Sequence, residues 1–218
     1  SKKSRNKLPD WIKKVSFENK VQPNYLIPSD LGGSKTLSKR NGLSEEEAAL
    51  HGSRVHKLLD LLPKYSPHDW PEYSLKMLKA NRLFDGPPNV KNAIKEALSV
   101  LTDPKFSYIF AKDVLSEVPF SAQLPNLKNQ KIYGIIDRLI VGSNNVQIID
   151  FKTNSTVPKT ANKIPIGILR QMGAYKLAIE EIYPSKEVSC YILWTAFKKI
   201  DRLEKDLLDY DNLDGSTS

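Results

Sequence analysis

At 218 residues, 40% hydrophobic and 27% charged, the chain is long enough to bury a sizeable core and has the make-up of a globular protein. Its 33 Lys and Arg against 25 Asp and Glu leave a formal net charge of +8, which favours a polyanionic partner, although many basic proteins without one share that balance. The single cysteine, Cys190, excludes a disulfide framework, a zinc finger or a four-cysteine iron–sulfur site made by this chain alone, no apolar run is long enough for a membrane span, and a reducing cytoplasm is the expected setting.

The first methionine is Met77, so the chain is expected to be a segment of a longer protein. Residues 1–43 are rich in Lys, Asn, Ser and Pro with scattered apolar anchors such as Trp11 and Tyr25, the composition of a linker or arm. Its basic start, Lys2 to Lys7, offers charge to a phosphate backbone, and a solvated tail is the simpler account. Ser44-Glu45-Glu46-Glu47 predicts a capping box that opens a helix running to about Leu62, with Ala48, Val55, Leu58, Leu59 and Leu62 on its apolar face. His56 lies in that helix, where a lone His is ordinarily a surface or half-buried residue; His51 and His68 carry no functional reading. Two packing helices follow, near 70–82 and 88–101. Residues 114–124 alternate loosely as a strand, with Pro119 pointing to an edge or a bulge. Glu117 in that strand is either plain surface or a group for a metal or its water.

Residues 134–142 and 146–153 are runs rich in Ile, Val and Leu around Ser143-Asn144-Asn145, the pattern of a β-hairpin. Each run carries one Asp, Asp137 or Asp150, and period-two alternation sets Lys152 on the face of Asp150 with Phe151 pointing the other way. A loop of Ser143-Asn144 puts Asp137 opposite Asp150; a loop of Asn144-Asn145 puts it opposite Lys152. Either register keeps the three groups on one face, and a one-residue slip would not. Ile135, Ile136, Ile148 and Ile149 predict a hairpin covered on both sides. Beyond it, 153–165 is a polar loop in which Lys159 and Lys163 either meet a phosphate backbone or are simply solvated. A helix from Pro165 to about Tyr183 carries Gln171 and Tyr175 four apart on one face. The apolar run 188–197 is expected to return as a buried parallel strand, and 198–218 as a weak strand, a short helix and an acidic end.

Two carboxylates and an ammonium side by side are costly in a core and have a use around a divalent cation. Asp137 and Asp150 offer hard oxygen ligands, the Phe151 carbonyl adds another, and the set suits Mg²⁺ or Mn²⁺. In metal-dependent phosphodiester hydrolysis Lys152 would orient the attacking water or offset developing charge. The alternatives are a non-catalytic module that binds DNA or a partner protein, and a cross-strand charge cluster on a solvated sheet face.

Gly134-x-x-Asp137, Asp150-x-Lys152 and Gln171-x-x-x-Tyr175, in that order, resemble the PD-(D/E)xK nucleases of the RecB type, and Gly52-x-x-x-His56 resembles the first motif of that branch. The resemblance covers roughly residues 44–200. It implies a restriction-endonuclease-like α/β fold, a mixed sheet with a central antiparallel hairpin and a crossover strand, flanked by helices, with a helical N-terminal part. It implies His56, Asp137 and Asp150 as metal ligands, Lys152 as the catalytic lysine, Gln171 and Tyr175 lining the active site, and Glu117 as an accessory residue. Residues 169–175 and 192–195 are similar, in particular, to the nuclease domains of AddA-type helicase–nucleases of bacterial double-strand-break repair. That similarity implies single strands delivered by helicase domains of the same full-length chain, an AddB-like partner subunit, no iron–sulfur cluster and no membrane. The expected organisation is a linker or arm over 1–43, a nuclease domain over 44–203 and a C-terminal tail over 204–218.

Overall fold

The structure, a computed structural model, describes residues 26–31, 43–124, 130–160 and 163–208, so most of the expected arm and tail lie outside the described residues. The first helix, α1 (Glu45–Leu61), opens on the expected capping box: Ser44 Oγ accepts from the Glu47 N–H at 3.1 Å and Glu47 Oε2 accepts from the Ser44 N–H at 2.7 Å. Its inner face carries Val55, Leu58 and Leu59 against α2 (Trp70–Ala80) and α3 (Val90–Leu101). Arg54 is buried beside them and its planar fork donates to the carbonyls of Leu83, Asp85, Gly86 and Pro88. One side chain thereby satisfies the turn between α2 and α3, which a point-charge lysine does not match.

Five strands follow: β1 (Leu115–Leu124), β2 (Gln130–Val141), β3 (Asn145–Lys152), β4 (Glu187–Trp194) and β5 (Lys199–Leu203), lying side by side in that order. All neighbours are antiparallel except β3 and β4, which the crossover helix α4 (Ile166–Ile182) joins in parallel. The hairpin pairs Arg138 with Ile149 through to Val141 with Val146, and Gly142 N–H closes the Ser143-Asn144 loop on the Asn145 carbonyl at 2.9 Å. Of the two registers open from the sequence, the one opposing Asp137 to Asp150 is adopted. Pro119 sits in the edge strand β1, where a missing N–H costs no ladder bond on the open side.

The sheet divides two apolar clusters. On one face α4 packs Ile168, Met172 and Ala178 against Ile132, Ile136, Ile148 and Ile192. On the other, α1 and α3 pack against Ile149, Phe151 and Leu193. One expectation fails here: Ile136, Ile148 and Ile149 are fully buried, but Ile135 is 44% exposed, because the α1–α3 layer does not extend over that part of β2. Of the expected arm, Leu26 bridges Ile132 at the edge of β2 and Leu31 packs against the α4 cluster, so this piece lies on the domain itself.

Gly134 in β2 is dictated by close approach. A Cβ there would lie 2.7 Å from Phe120 Cε1 and 3.2 Å from Tyr175 Cε1, two rings packed edge to face with centroids 5.5 Å apart. Gly134→Ala is therefore expected to cost about 1–3 kcal/mol as the rings are displaced. A lowered urea midpoint, partly recovered by adding Phe120→Leu, is the measurement that checks it.

Candidate active site

The β2–β3 ladder stops at Arg138 and Ile149. Residues 134–137 and 150–152 part company, and their main-chain groups must find other partners. The Phe151 N–H donates to Asp137 Oδ2 at 2.6 Å, and the Tyr175 hydroxyl donates to the Ile135 carbonyl at 3.0 Å. On its other side β2 pairs with β1 on both flanks of Asp137, through Ser116 with Arg138 and Val118 with Ile136, while Glu117 sits at φ 49° in the left-handed region. Ile136 and Leu139 both pack in the α4 cluster, whereas Arg138 donates to the Leu59 carbonyl of α1. Strict alternation therefore slips at Asp137 and turns it towards α1. The three charged groups do not share one plain sheet face as the alternation predicts. Asp150 and Lys152 lie on the α4 side, and Asp137 meets them through the gap between the strands.

Into that gap project groups from both helical layers. His56 Nδ1 of α1 is 3.1 Å from Asp137 Oδ1, and its ring stands edge-on to Phe151 at 5.7 Å. Gly52, one turn earlier, lets α1 approach the end of β3: a Cβ would lie 3.2 Å from Thr153 Oγ1. Lys152 Nζ is 2.6 Å from Asp150 Oδ2 and donates to Gln171 Oε1 at 3.1 Å. The Gln171 amide nitrogen donates to Tyr175 Oη at 2.9 Å and lies 3.5 Å from Asp150 Oδ1. A cleft of about 390 Å³ opens beside Asp137, bounded by Gly52, His56 and Lys57 on one side and by Glu117 and Ile135 on the other. Lys159 and Lys163 are exposed on the β3–α4 connection, and no described hydrogen bond or ion pair ties them to the cluster.

Burial pushes both aspartate carboxyls up. At Asp137 the charge and hydrogen bond of His56, the Phe151 N–H and Lys152 outweigh it, and the group is held below the ordinary carboxylate range. At Asp150 burial wins over the attraction of Lys152, with Asp137 adding repulsion, and the group sits above it. Burial also opposes charge on His56, but the Asp137 carboxylate prevails and raises its pKa. Two neighbouring carboxyls are thus driven apart by their surroundings, a mark of functional sites.

Among the described residues, no three His, Cys, Asp or Glu side chains are gathered closely enough to hold a metal ion. Each carboxylate is drawn to its internal partners, Asp137 to Phe151 and His56, Asp150 to Lys152. The donor set nonetheless fits a hard divalent cation. The Lys152–Asp150 contact is off the line of a hydrogen bond, which leaves the buried Asp150 Oδ2 without an aligned donor beside a second carboxylate and an imidazole.

A sequence profile of the PD-(D/E)XK nuclease superfamily matches residues 32–209. The chain belongs to that superfamily. The mixed five-stranded sheet with its flanking helices is the restriction-endonuclease-like fold of these nucleases. No curated protein matches the chain significantly. Among solved structures, the crystal structure of SSO0001 is similar, at a TM-score of 0.34 and 15% identity over 80% of this chain and 89% of that one. Nothing about function passes from so distant a likeness.

In this PD-(D/E)XK domain a second polar network, absent from the sequence reading, supports Lys152 from behind. Thr195 Oγ1, just after β4, is 2.6 Å from Glu96 Oε1 and 3.2 Å from the Lys152 carbonyl, and His51 Nε2 is 2.8 Å from Glu96 Oε2. All three side chains are buried. They tie the last residue of β3 to α1 and α3. A signal was present: Glu96 falls on the stripe of Ala93, Ala97 and Val100 along α3, where an unpaired carboxylate would be costly.

Glu117 yields a pH-dependent expectation. Burial, then repulsion from Asp137 and Asp60, raise its carboxyl above the ordinary 4.5. Well below 4.5 the group is protonated in folded and unfolded chains alike and imposes no penalty; as pH rises the unfolded chain ionises first and the folded state loses stability relative to it. Glu117→Gln should therefore melt with wild type in acid and above it at neutral pH, in EDTA. A variant less stable than wild type at neutral pH would contradict this.

Proposed function

We propose that the chain is the nuclease domain of an AddA-type helicase–nuclease: a Mg²⁺- or Mn²⁺-dependent deoxyribonuclease. It would cut mainly single strands delivered by helicase domains of the same full-length chain, beside an AddB-like subunit, in cytoplasmic double-strand-break repair. The observation that carries the catalytic part is the convergence of Asp137, Asp150 and Lys152 where β2 and β3 part, with Gln171 and Tyr175 arranged behind them. The AddA-level part rests on the wording of residues 169–175 and 192–195. No helix among the described residues is long and apolar enough to cross a membrane.

His56, Asp137, Asp150 and the Phe151 carbonyl would hold the cation, which when bound supplies charge neutralisation at the phosphate and a more acidic water. The chain's own residues set the lysine. The Tyr175 hydroxyl spends its proton on the Ile135 carbonyl, so it can only accept from Gln171. That fixes the Gln171 amide with its oxygen towards Lys152. One ammonium proton is thereby engaged, Asp150 balances the charge, and the remaining protons would be left for a water or a phosphate oxygen.

A second reading, a nuclease fold kept for binding alone, has one observation in its favour, that no three ligating side chains are gathered among the described residues. A nuclease assay on single- and double-stranded DNA in Mg²⁺, Mn²⁺ or EDTA separates the two. Wild type is expected to cut single strands with metal and not in EDTA. Lys152→Ala should lose about 10²–10³-fold in rate, the scale of one removed charge-stabilising donor, while keeping Mn²⁺ and DNA affinity. Asp150→Ala should lose both cleavage and calorimetric Mn²⁺ binding. Equal rates for wild type and Lys152→Ala would remove the lysine from the chemistry. No cleavage by any version, including the intact helicase–nuclease complex, would favour the binding module.

A further inference from the structure

The two faces of the sheet are covered unequally. α4 backs one face across the sheet, but on the other the α1–α3 layer packs on β3 and β4. Among the described residues it reaches β1 and β2 from the site towards the β2–β3 turn, where Ser116 Oγ donates to Asp60, Arg138 donates to the Leu59 carbonyl and Ile140 packs on the cluster. Away from that turn β1 and β2 continue as a paired ribbon as far as Leu124 and Gln130. Phe120, Ile132 and Ile136 turn inward to the α4 cluster, as a half-buried ribbon requires. The alternate positions Pro119, Ser121, Gln123, Lys131, Tyr133 and Ile135 are all exposed, Tyr133 by 42% and Ile135 by 44%.

Continuity and chemistry together say what this face receives. Ile135 belongs both to the ribbon face and to the cleft that contains Asp137 and Glu117, so the face leads straight into the site. Pro119 pairs with Ile135 and Ser121 with Tyr133, making a narrow strip of apolar surface and one aromatic ring. None of the six exposed positions is acidic; Lys131 stands at the far end of the strip and Lys57 lines the cleft at the near end. A stacking ring between cations, on a track ending at a cluster of acids and a lysine, matches the demands of an unpaired polynucleotide. A partner protein would need no such continuity with the cleft.

We propose that the exposed β1–β2 face is the single-strand track of this domain. One unpaired base stacks on Tyr133, the next nucleotide lies against Ile135, and Lys131 meets a phosphate. Along the strand, Tyr133 is about 13 Å from Asp137, which puts the stacked base a few nucleotides from the bond to be cut. The proposal rests on the nuclease reading above and names how that site takes its substrate.

The test uses the 218-residue chain and reads binding without cleavage, by fluorescence anisotropy of a labelled oligothymidine in EDTA. Alongside it, hydrolysis of bis(4-nitrophenyl) phosphate with Mn²⁺ reports on the cutting site with a diester too small to reach Tyr133. Tyr133→Ala is expected to weaken oligothymidine binding about tenfold, the scale of one stacked base, and Tyr133→Trp to restore it. Lys131→Ala should weaken binding and lessen the salt dependence by about one counterion. None of these changes should alter hydrolysis of the small diester. Wild-type affinity in Tyr133→Ala would overturn the proposal and leave the face to a protein neighbour, and an equal loss on duplex DNA would overturn the single-strand assignment. Loss of single-strand cleavage in Mn²⁺ by every version, with the Tyr133 effect on binding intact, would overturn the nuclease reading while supporting the track.

Discussion

Everything at the site follows from the early parting of β2 and β3. A ladder that stops at Arg138 and Ile149 leaves main-chain donors and acceptors in the middle of a sheet, where water is scarce. Leaving one buried group unsatisfied costs about 1–3 kcal/mol, so the fold needs polar side chains at this spot whatever else they do. Asp137 takes the Phe151 N–H and Tyr175 serves the Ile135 carbonyl. Asp137 also lines the cleft, and the gap is where groups from opposite layers meet: His56 from α1, Gln171 and Tyr175 from α4.

The electrostatics follow from that crowding. Two aspartates, a lysine and a histidine share a space too dry to screen them. Asp137 has donors on both oxygens and stays easily ionised; Asp150 has burial and a like charge against it, which Lys152 and the more distant His56 do not outweigh. Glu117 adds a third carboxylate in a left-handed backbone conformation that a side chain rarely adopts. Such strain and repulsion persist only where the surrounding packing imposes them, here the ladders on both sides of Glu117 and the closed α4 cluster beneath. The PD-(D/E)XK domain carries its strain and repulsion at the candidate site, and its order in two apolar clusters on either side of the sheet.

Rigidity reaches Lys152 from two directions. From the α4 side Gln171 and Asp150 hold its ammonium, and from behind the Thr195–Glu96–His51 network holds its carbonyl. A flexible four-carbon side chain has little use for a fixed target unless its root is also fixed. The network ties Lys152 to the α1–α3 layer, which packs Phe151 at the end of β3 into its own apolar cluster.

Local pattern was enough for much of this. Capping at Ser44, a two-residue hairpin loop within Ser143-Asn144-Asn145 and the crossover helix after β3 are set by short-range chemistry and legible from neighbouring residues, whereas strand pairing chose Ser143-Asn144 as the loop and placed Pro119 at a sheet edge. Polar residues inside apolar strands marked Asp137, Asp150 and Lys152, because burial makes such residues conspicuous. Tertiary structure alone decided the rest. Whether His56 turned inward depended on where α1 crosses the sheet, a contact between residues 81 apart in the chain. The slip at Asp137 arose because Arg138 is drawn to the Leu59 carbonyl, a pull that no strand alternation encodes. The exposure of Ile135 and Tyr133 reflects the reach of a helical layer built from another part of the chain. Alternation says which side chains share a side of a strand; only packing says which side is covered.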